Sequence, residues 1–348
     1  MNDDAKGRTT SGPGLFTPAG SLPERALEEA AATVTGEAEE ERRARRRRRR
    51  RFVLGGLAVL ALLLVGGPLY AVRHALDDFD RSVERFPSPF RALPEAGRPV
   101  VDPAARGAVN VLLLGTDGRI RPGDPARWPA DARSTQSVML VHVARDQGGA
   151  TVVSVPQRSP VPIRGVGTAP LEQAFARGGP ALLVETVERV TKVRIDHVAV
   201  IDLDGFRRIT DALGGVRIRV GGEVRRMDGA TALEHVRGAR SGGGSGGGSG
   251  ERARELERIG RQQAWVRGIV QQARSAGTLL DPLALRDALG ALSTSLATDD
   301  GFTLDEMSSL AGALRGSGPG SLRFVTVPDP TRAGAVWTSL RTDRPGRS

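Results

Sequence analysis

The stretch that decides the fold is VNVLLLGTDGR, from Val109 to Arg119. It contains a continuous apolar run, Val111–Leu114, and such runs are typical of a strand buried on both faces of a sheet. Gly115 and Gly118 permit a sharp turn where that strand ends. The stretch therefore predicts a central strand of an α/β domain, followed at once by a tight turn.

That turn carries one carboxylate and one guanidinium, those of Asp117 and Arg119. Open α/β sheets bind ligands at the carboxyl ends of their strands, so this pair is a candidate for a site that holds metal and phosphate. The same residues also suit a turn capped by its own aspartate, with the arginine in solvent. This stretch alone leaves both interpretations open.

The composition excludes several kinds of site. The 348 residues include no cysteine, so disulfides, thiolate nucleophiles and cysteine-bound metals are ruled out. The four histidines show no pair at ligand spacing, so we expect no zinc site and a structural role for each. They are His74, His142, His197 and His235. Nearly all basic residues are arginine, which makes any single arginine weak evidence of function.

A basic N-terminal segment comes before a long apolar run. Residues 1–51 hold 12 Lys and Arg against 9 Asp and Glu, and they end in the arginine cluster Arg42–Arg51. Their polar composition predicts a disordered tail. The net charge of the whole chain is +10, of which +7 belongs to the remainder, so the body favours anionic partners such as phosphates.

The apolar run, residues 52–72, is a candidate transmembrane anchor. It contains no charged side chain and is long enough to cross a bilayer as one helix. The arginine cluster at its N-terminal edge is expected in the cytoplasm, where anionic headgroups attract it. The region before the run is too long for a cleaved signal peptide. We therefore expect a single-pass plasma-membrane protein with a cytoplasmic N-terminus and an extracellular body, which lies across the membrane from nucleic acid.

Beyond the anchor, strands and helices alternate. Residues 73–105 contain five prolines and predict a stiff stalk, residues 106–335 predict the extracellular domain, and residues 336–348 a tail. The low-complexity stretch SGGGSGGGSG, residues 241–250, predicts a flexible loop within that domain. Strands interleaved with helices indicate a layered α/β fold, αβα, around a central mixed sheet.

Periodicity and turn signals predict the individual elements of the domain. Further strands are expected at residues 137–143 and 151–155 around a turn at 146–149, and at 195–203, 216–220 and 322–327. Helices are expected from Gly179-Pro180, at residues 205–213, from an Asp228 cap, and at 253–276, 282–296 and 303–314.

Six blocks in this order resemble the LytR-CpsA-Psr family of cell-wall enzymes. They are NVLLLGTDGR, SVMLVHV with VVSVP, AFARGGPALLVETVERVTKVRIDH, IDLDGFRRITDALGGV, MDGATALEHVR and RIGRQQAWVR, spread over residues 110–269. Each block is weak alone, and their order and spacing carry the similarity. The resemblance implies an αβα domain that holds a polyprenyl chain in an apolar pocket. It also implies transfer of a glycopolymer from a polyprenyl-pyrophosphate carrier to peptidoglycan, with a divalent metal that is usually Mg²⁺.

The resemblance also implies roles for individual positions. Asp117 would help to hold the metal and, with Arg119, form the catalytic pair. The pyrophosphate would be bound by Arg237, Arg240, Arg258, Arg261 and Gln262. Arginine suits this role because its planar donors match phosphate oxygens and its charge stabilises the anion that develops on cleavage. Spacing places Arg258 and Gln262 on one helix face, although surface arginines on an arginine-rich chain would look the same.

Three positions depart from the family pattern. Gln136 stands where the family has an aspartate that shares the metal, and Gln157 stands where it has a phosphate-binding arginine, followed by Arg158 in place of an acid. Ala239 replaces one of two paired arginines, so that Arg240 comes one step late. A neutral glutamine would weaken a site for a hard cation. The hypotheses are thus a membrane-anchored phosphotransferase, a relative that binds polyprenyl-phosphate lipids without turnover, and, ranked last, a transcriptional regulator.

Overall fold

The central sheet is built around the strand that the sequence predicts, which runs Val109–Thr116 (β2). In the computed structural model, which describes residues 67–130, 133–145, 149–238, 248–274, 282–316 and 322–344, this strand is the middle one of a seven-stranded sheet. The other six are Glu84–Phe86 (β1), Thr135–Val143 (β3), Ala150–Val155 (β4), His197–Asp202 (β7), Leu296–Asp299 (β10) and Leu322–Thr326 (β11).

The sheet is mixed, as expected. Its strand order is β1-β10-β7-β2-β3-β4-β11. The central strand β2 pairs in parallel with β7 and antiparallel with β3. The β3–β4 and β7–β10 pairs are antiparallel, whereas β1–β10 and β4–β11 are parallel. The β3–β4 pairing is the one predicted, although residues 146–148 of its turn lie outside the described residues.

Helices cover both faces of the sheet. On one face, Leu183 and Val184 of helix α2 (Glu172–Thr191) are fully buried in one cluster with Leu112 and Leu114 of β2. The other face packs against helices α1 (Gly67–Ser82), α6 (Pro282–Ser293) and α7 (Leu304–Gly316). The three layers form the αβα arrangement, and two-sided burial explains why β2 has a continuous apolar sequence.

A smaller cluster supports the region where the site is expected. It joins helices α3 (Leu203–Ala212), α4 (Gly229–Arg237) and α5 (Gly248–Arg274) to the hairpin of Val216–Val220 (β8) and Glu223–Met227 (β9). At its centre the Trp265 ring stacks on Phe206 with centroids 3.9 Å apart, and its indole N–H donates to Thr210 Oγ1 at 2.9 Å. This contact fixes α5 against α3.

Helix α2 shows why Gly179-Pro180 is a helix-start signal. The helix begins earlier, at Glu172, but Gly178 and Gly179 have non-helical backbone angles and divide it at a kink. Gly179 has a φ of +60°, and a Cβ there would lie 2.7 Å from Ala126. Pro180 then opens the second segment, where its missing N–H has no intrahelical partner to lose. The signal therefore locates the kink and not the first turn.

Residues 73–105, the expected stalk, belong to the folded body. Helix α1 ends at Ser82, strand β1 lies at the edge of the central sheet, and Phe86 is almost fully buried. The Arg98 guanidinium bonds the carboxylate of Glu188 on α2 at 2.7 Å. Pro89 and Pro103 begin short 3-10 turns and do not belong to a stalk, and the proline content of the segment conceals the apolar positions that pack against the sheet.

The C-terminal residues also differ from the expected tail. Helix α8 (Gly334–Arg341) crosses the predicted end of the domain at residue 335, and its Trp337 and Leu340 are buried. Four further strands lie outside the sequence predictions: β10, which starts where a longer helix is expected, β9, and the hairpin of Pro160–Ile163 (β5) and Gly167–Pro170 (β6). Residues 248–250, expected in the Gly/Ser loop, form the first turn of α5.

The expected anchor, residues 52–72, lies outside the described residues apart from 67–72. No helix in the described ranges is both long enough and apolar enough to cross a membrane.

Candidate functional site

Two adjoining clefts lie beside the turn that follows β2. A groove of about 1110 Å³ runs between the α4 C-terminus, the β8–β9 hairpin and α5, and six arginines and four glutamates line it. A second cleft of about 390 Å³ contains Asp117, Arg119 and Asp204. Arg237 lines both clefts, so it connects the turn after β2 to the groove. The excess of arginine makes the groove a binding surface for anions.

Asp117 is the acid at the junction of the two clefts. Its Oδ1 lies 3.9 Å from Arg237 Nη2, and its Oδ2 accepts a hydrogen bond from the side-chain amide of Gln136. Both residues are substantially exposed, with 57% of the Arg237 side chain and 40% of the Asp117 side chain accessible. Ligands can therefore reach this pair, and the ion pair itself adds little to stability.

The backbone of Gln136 binds two further candidate site residues, Arg258 and Gln262. Its carbonyl oxygen accepts from the Arg258 guanidinium and from Gln262 Nε2 at 3.3 Å. The spacing that predicts a shared helix face is therefore correct, since both side chains reach one atom. The Gln157 amide also points here: with its nitrogen turned inward, it donates to the carbonyl oxygens of Gln136 at 3.0 Å and Thr135 at 2.5 Å. The Gln157 amide therefore stabilises the backbone at Thr135 and Gln136, at a position where the family resemblance implies a positively charged arginine.

Arg261 offers an unused donor to the groove. Its Nε is buried and has no hydrogen-bond partner within the described ranges. A buried donor without a partner is costly, and a bound anion would satisfy it. The guanidinium packs over Gly238, which has a φ of +79° and where a Cβ would lie 2.6 Å from Nη2. Glycine at that position therefore allows Arg261 to approach the end of α4.

Arg119 points away from the groove. Its Nε donates to Asp204 Oδ2 at 2.8 Å, and 76% of its side chain is exposed. The neighbouring Asp202 caps α3: its Oδ1 accepts from Gly205 N at 2.6 Å and its Oδ2 from Ile120 N at 3.2 Å. Burial raises the pKa of the Asp202 carboxyl, while these backbone hydrogen bonds act in the opposite direction. Asp202 is therefore a structural acid beneath the turn.

Acidic residues on α5, which sequence reasoning missed, contact several of the arginines. Glu251 pairs with Arg158, and Glu255 Oε1 lies 3.7 Å from Arg258 Nη2. Glu257 Oε2 lies 3.9 Å from Arg261 Nη1. Burial lowers the pKa of the Arg258 guanidinium and Glu255 acts against that shift, but arginine stays charged at any physiological pH. These glutamates reduce the positive charge of the groove without removing it.

The donors around Asp117 do not fit a divalent cation. Across the described residues, no three acidic or histidine side chains come close enough together to hold a metal ion. One Asp117 oxygen already accepts an N–H from Gln136 and the other faces a guanidinium, so both are oriented toward hydrogen-bond donors. Mg²⁺ instead needs carboxylate and other oxygen ligands in octahedral geometry. Arg240 and Ala239 lie outside the described residues.

Three of the four histidines are structural, as expected. His142 is buried between Asn110 Oδ1 at 2.8 Å and Asp343 Oδ1 at 3.0 Å. His197 stacks on Phe302, with ring centroids 4.5 Å apart. The exposed His74 pairs with the Asp78 carboxylate at 2.9 Å on α1. The fourth, His235, lines the arginine groove, and sequence spacing gave no sign of this.

The family of this chain follows from comparison with known proteins. The model of the LytR_cpsA_psr family matches residues 90–343, which is most of the chain. The chain belongs to the LytR-CpsA-Psr family. It is 30% identical over 272 residues to the cell wall biosynthesis protein LcpA of Corynebacterium glutamicum, a match that covers 65% of this chain and 51% of LcpA. It is 24% identical over 249 residues to the polyisoprenyl-teichoic acid–peptidoglycan teichoic acid transferase TagU of Halalkalibacterium halodurans, covering 68% and 75%.

The chain thus spans about half the length of LcpA, and its match to LcpB of the same bacterium covers 55% of that protein. Solved structures of the LytR-CpsA-Psr family share the fold. A LytR-Csp2A-Psr enzyme from Actinomyces oris aligns with a TM-score of 0.54 at 18% identity, over 70% of this chain and 93% of its own. TagV of Bacillus subtilis aligns with a TM-score of 0.52 at 17% identity, over 69% and 98%.

Proposed function

We propose that this protein is a membrane-anchored phosphotransferase that moves an anionic glycopolymer from a polyprenyl-pyrophosphate carrier onto peptidoglycan. Family membership supports a role in cell-wall assembly, and the TagU relative carries both a polyisoprenyl donor and peptidoglycan in its name. The body is proposed to lie outside the membrane, with residues 52–72 as the anchor.

The observation that carries the proposal is the convergence of arginines on one groove. Arg237, Arg258 and Arg261 come from two helices and line the same cleft beside Asp117, and Arg261 keeps a buried donor free within the described ranges. Cleavage of a pyrophosphate develops negative charge on the leaving phosphate. Guanidinium groups fixed in advance around that position stabilise the charge without reorganising during the reaction.

Charge compensation in this proposal comes from the arginines, because the donor set around Asp117 does not suit a cation. Gln136 and Asp117 together offer one carboxylate, and Gln136 holds it by an amide hydrogen bond. A dependence on Mg²⁺ therefore stays a prediction of the family resemblance. Its most direct test is the affinity of a Gln136→Asp variant for Mg²⁺.

A second function is favoured by the two glutamines. The Gln136 amide donates a hydrogen bond to Asp117, and the neutral Gln157 side chain lines the groove while its amide nitrogen donates to backbone carbonyls. A protein with these features would retain arginines for lipid phosphates while lacking charges that the family resemblance assigns to turnover. It would bind polyprenyl-phosphate lipids and release nothing.

One experiment separates the two functions. Full-length protein in detergent is incubated with a lipid-linked pyrophosphate glycopolymer and peptidoglycan fragments, with and without Mg²⁺, and released polyprenyl phosphate is measured. We expect release that depends on the acceptor. Saturable binding without release would instead establish the lipid-binding function, and absence of both would reject the two together.

Topology has its own test. Protease added to intact protoplasts should degrade the body and leave a protected N-terminal fragment that contains the arginine cluster Arg42–Arg51. A protected body would contradict the extracellular placement and revive the regulator hypothesis.

A further inference from the structure

His235 lies in the arginine groove, a position that the sequence around it does not predict. It lies in the last turn of α4, and its side chain lines the groove that Arg237, Arg258 and Arg261 share. Its ring nitrogens have no hydrogen-bond partner in the part of the chain that the structure describes. The other three histidines each have an acidic or amide partner. His235 is therefore available to a ligand in the groove.

The charged groups that face His235 favour a neutral ring. The arginines line the groove from four elements: Arg254, Arg258 and Arg261 from α5, Arg237 from α4, Arg225 from β9 and Arg158 from the turn after β4. The acids that line it with them are Glu234 on α4 itself and Glu251, Glu255 and Glu257 on α5. Burial lowers the pKa of the His235 imidazole, and the positive charge of Arg261 acts in the same direction. At neutral pH the ring is thus uncharged and can accept a proton.

We propose that His235 is the general base that takes the proton from the acceptor hydroxyl in the transfer reaction, and this inference rests on the proposed phosphotransferase function. An acceptor sugar hydroxyl is a poor nucleophile until its proton has a destination as the new bond forms. The arginines of the groove are permanently charged and cannot take that proton. The carboxylates of Glu251, Glu255 and Glu257 in the same lining face arginine guanidinium groups, which lowers their basicity, whereas the neutral imidazole of His235 can accept the proton.

The acceptor oxygen forms a bond to the phosphorus that carries the glycopolymer, while the bond from that phosphorus to the bridging oxygen of the pyrophosphate breaks. The electron pair of the broken bond leaves with the polyprenyl phosphate, whose charge the arginines stabilise. The acceptor proton moves to a ring nitrogen of His235 and then to solvent or to the departing phosphate, which restores the neutral ring.

The test compares His235→Gln and His235→Asn with a matched control, His74→Gln, which removes an exposed histidine of α1 outside the groove. Steady-state transfer is measured in full-length protein across the pH range, together with binding of the lipid donor. For both His235 variants we expect kcat to fall by about 10²–10⁴-fold, the usual contribution of a general base. The KM for the donor and its binding should stay unchanged.

The pH profile distinguishes a base from a residue that only supports the fold. In the parent, kcat should fall as the pH drops through the lowered pKa of His235, and both variants should lose this acid limb. Equal thermal stability of all proteins excludes unfolding as the cause. A variant that keeps its kcat and acid limb, or that changes only the donor KM, overturns the base while leaving the transferase intact. Absence of transfer by the parent overturns the proposed function as well.

Discussion

Arg258 on α5 donates its guanidinium to the backbone carbonyl oxygen of Gln136 at the start of β3, a residue 122 positions earlier in the chain. Gln262, one helical turn further on, reaches the same oxygen. The interaction fixes the position of the arginine, because a guanidinium bonded to backbone keeps its remaining donors directed at the groove. Among the groove arginines that form ion pairs, Arg258 is the most buried, with 17% of its side chain exposed.

The first prediction concerns this arginine. Arg258→Ala should weaken binding of a polyprenyl-pyrophosphate by about 1.5–3 kcal/mol, the usual range for a hydrogen bond to a charged group. Calorimetric titration of the lipid in detergent measures the difference. Arg164→Ala is the matched control, since it removes one positive charge from an exposed residue on the β5–β6 turn. Equal affinity of the Arg258 variant and the parent would make Arg258 a structural residue only.

The contact between Arg258 and Gln136 marks how far sequence can predict this site. Spacing of four residues places Arg258 and Gln262 on one face, and the structure confirms it because local helix geometry sets that relation. Arg119 bonds Asp204, 85 residues away, and no local pattern contains such a pair. Long-range contacts of this kind depend on how α3 packs against the turn after β2.

The elements of the fold divide in the same way, into those that local sequence predicts and those that depend on long-range contacts. Strand β2 was predicted because an apolar run buried on both faces has a strong local signal. Strand β1 has three residues and β10 has four, too few for a period to appear, and both take their conformation from neighbouring strands, since β1 pairs with β10 and β10 with β7. Phe86 and Trp337 are core residues in segments whose proline or polar composition indicates a stalk or a tail.

The second prediction tests whether the expected stalk is part of the fold. Arg98 donates to Glu188, the side chains are 7% and 4% exposed, and Glu188 also accepts from Ile195 N at 2.9 Å. Glu188→Gln removes the buried carboxylate that pairs with the Arg98 charge, and it leaves the exposed Glu95 carboxylate, 3.9 Å away, as the acidic partner. We expect the free energy of unfolding in urea to fall by about 3–5 kcal/mol.

The control for that variant is an ion pair on the surface. Arg164 lies 2.7 Å from Glu185 on the same helix, but its side chain is 65% exposed. Arg164→Met should change the free energy of unfolding by less than about 1 kcal/mol. If Glu188→Gln and Arg164→Met had equally small effects, the segment around Arg98 would not be held against α2.

The third prediction concerns pH and the two aspartates that cap helices beside the site. Burial raises the pKa of Asp202 above 3.8, so the native state binds its proton at higher pH than the unfolded chain does. The contribution of Asp202 to the free energy of unfolding therefore increases as the pH falls through that raised pKa. Asp202→Asn keeps one oxygen that can accept from Gly205 N, loses the acceptor for Ile120 N and removes this titration. Relative to the variant, the parent should gain stability as the pH falls from neutral toward 3.8.

Asp228 provides the opposite case. Its carboxylate accepts from Thr231 N at 2.8 Å, and this hydrogen bond lowers its pKa below 3.8. The stability that Asp228 contributes is present above 3.8 and is lost as the pH falls through the lowered pKa. In urea titrations at several pH values, Asp202→Asn and Asp228→Asn should therefore differ from the parent with slopes of opposite sign. Parallel slopes would contradict the burial effect at Asp202.

The last prediction concerns Gln136. Its amide donates to Asp117 Oδ2, so an aspartate at this position would place a second carboxylate beside Asp117, one methylene closer to the backbone than the present amide. Two carboxylates at one point repel each other unless a cation joins them, and hard oxygen ligands of this kind suit Mg²⁺. Gln136→Asp should therefore bind Mg²⁺ more tightly than the parent in calorimetric titration with a pyrophosphate analogue present. Any transfer activity should rise with it, because the groove arginines are unchanged.

Gln136→Asn separates charge from shape, since asparagine has nearly the size of aspartate and carries no charge. If Mg²⁺ affinity increases for Asp and not for Asn, the added carboxylate is responsible, and a single substitution restores a cation site at the end of β2. The gain should be partial, because Gln157 contributes hydrogen bonds to the backbone of Gln136 and Thr135 but no positive charge to the groove. If neither variant binds Mg²⁺ better than the parent, Asp117 is not a metal ligand. Arginine alone would then compensate the pyrophosphate charge in this chain.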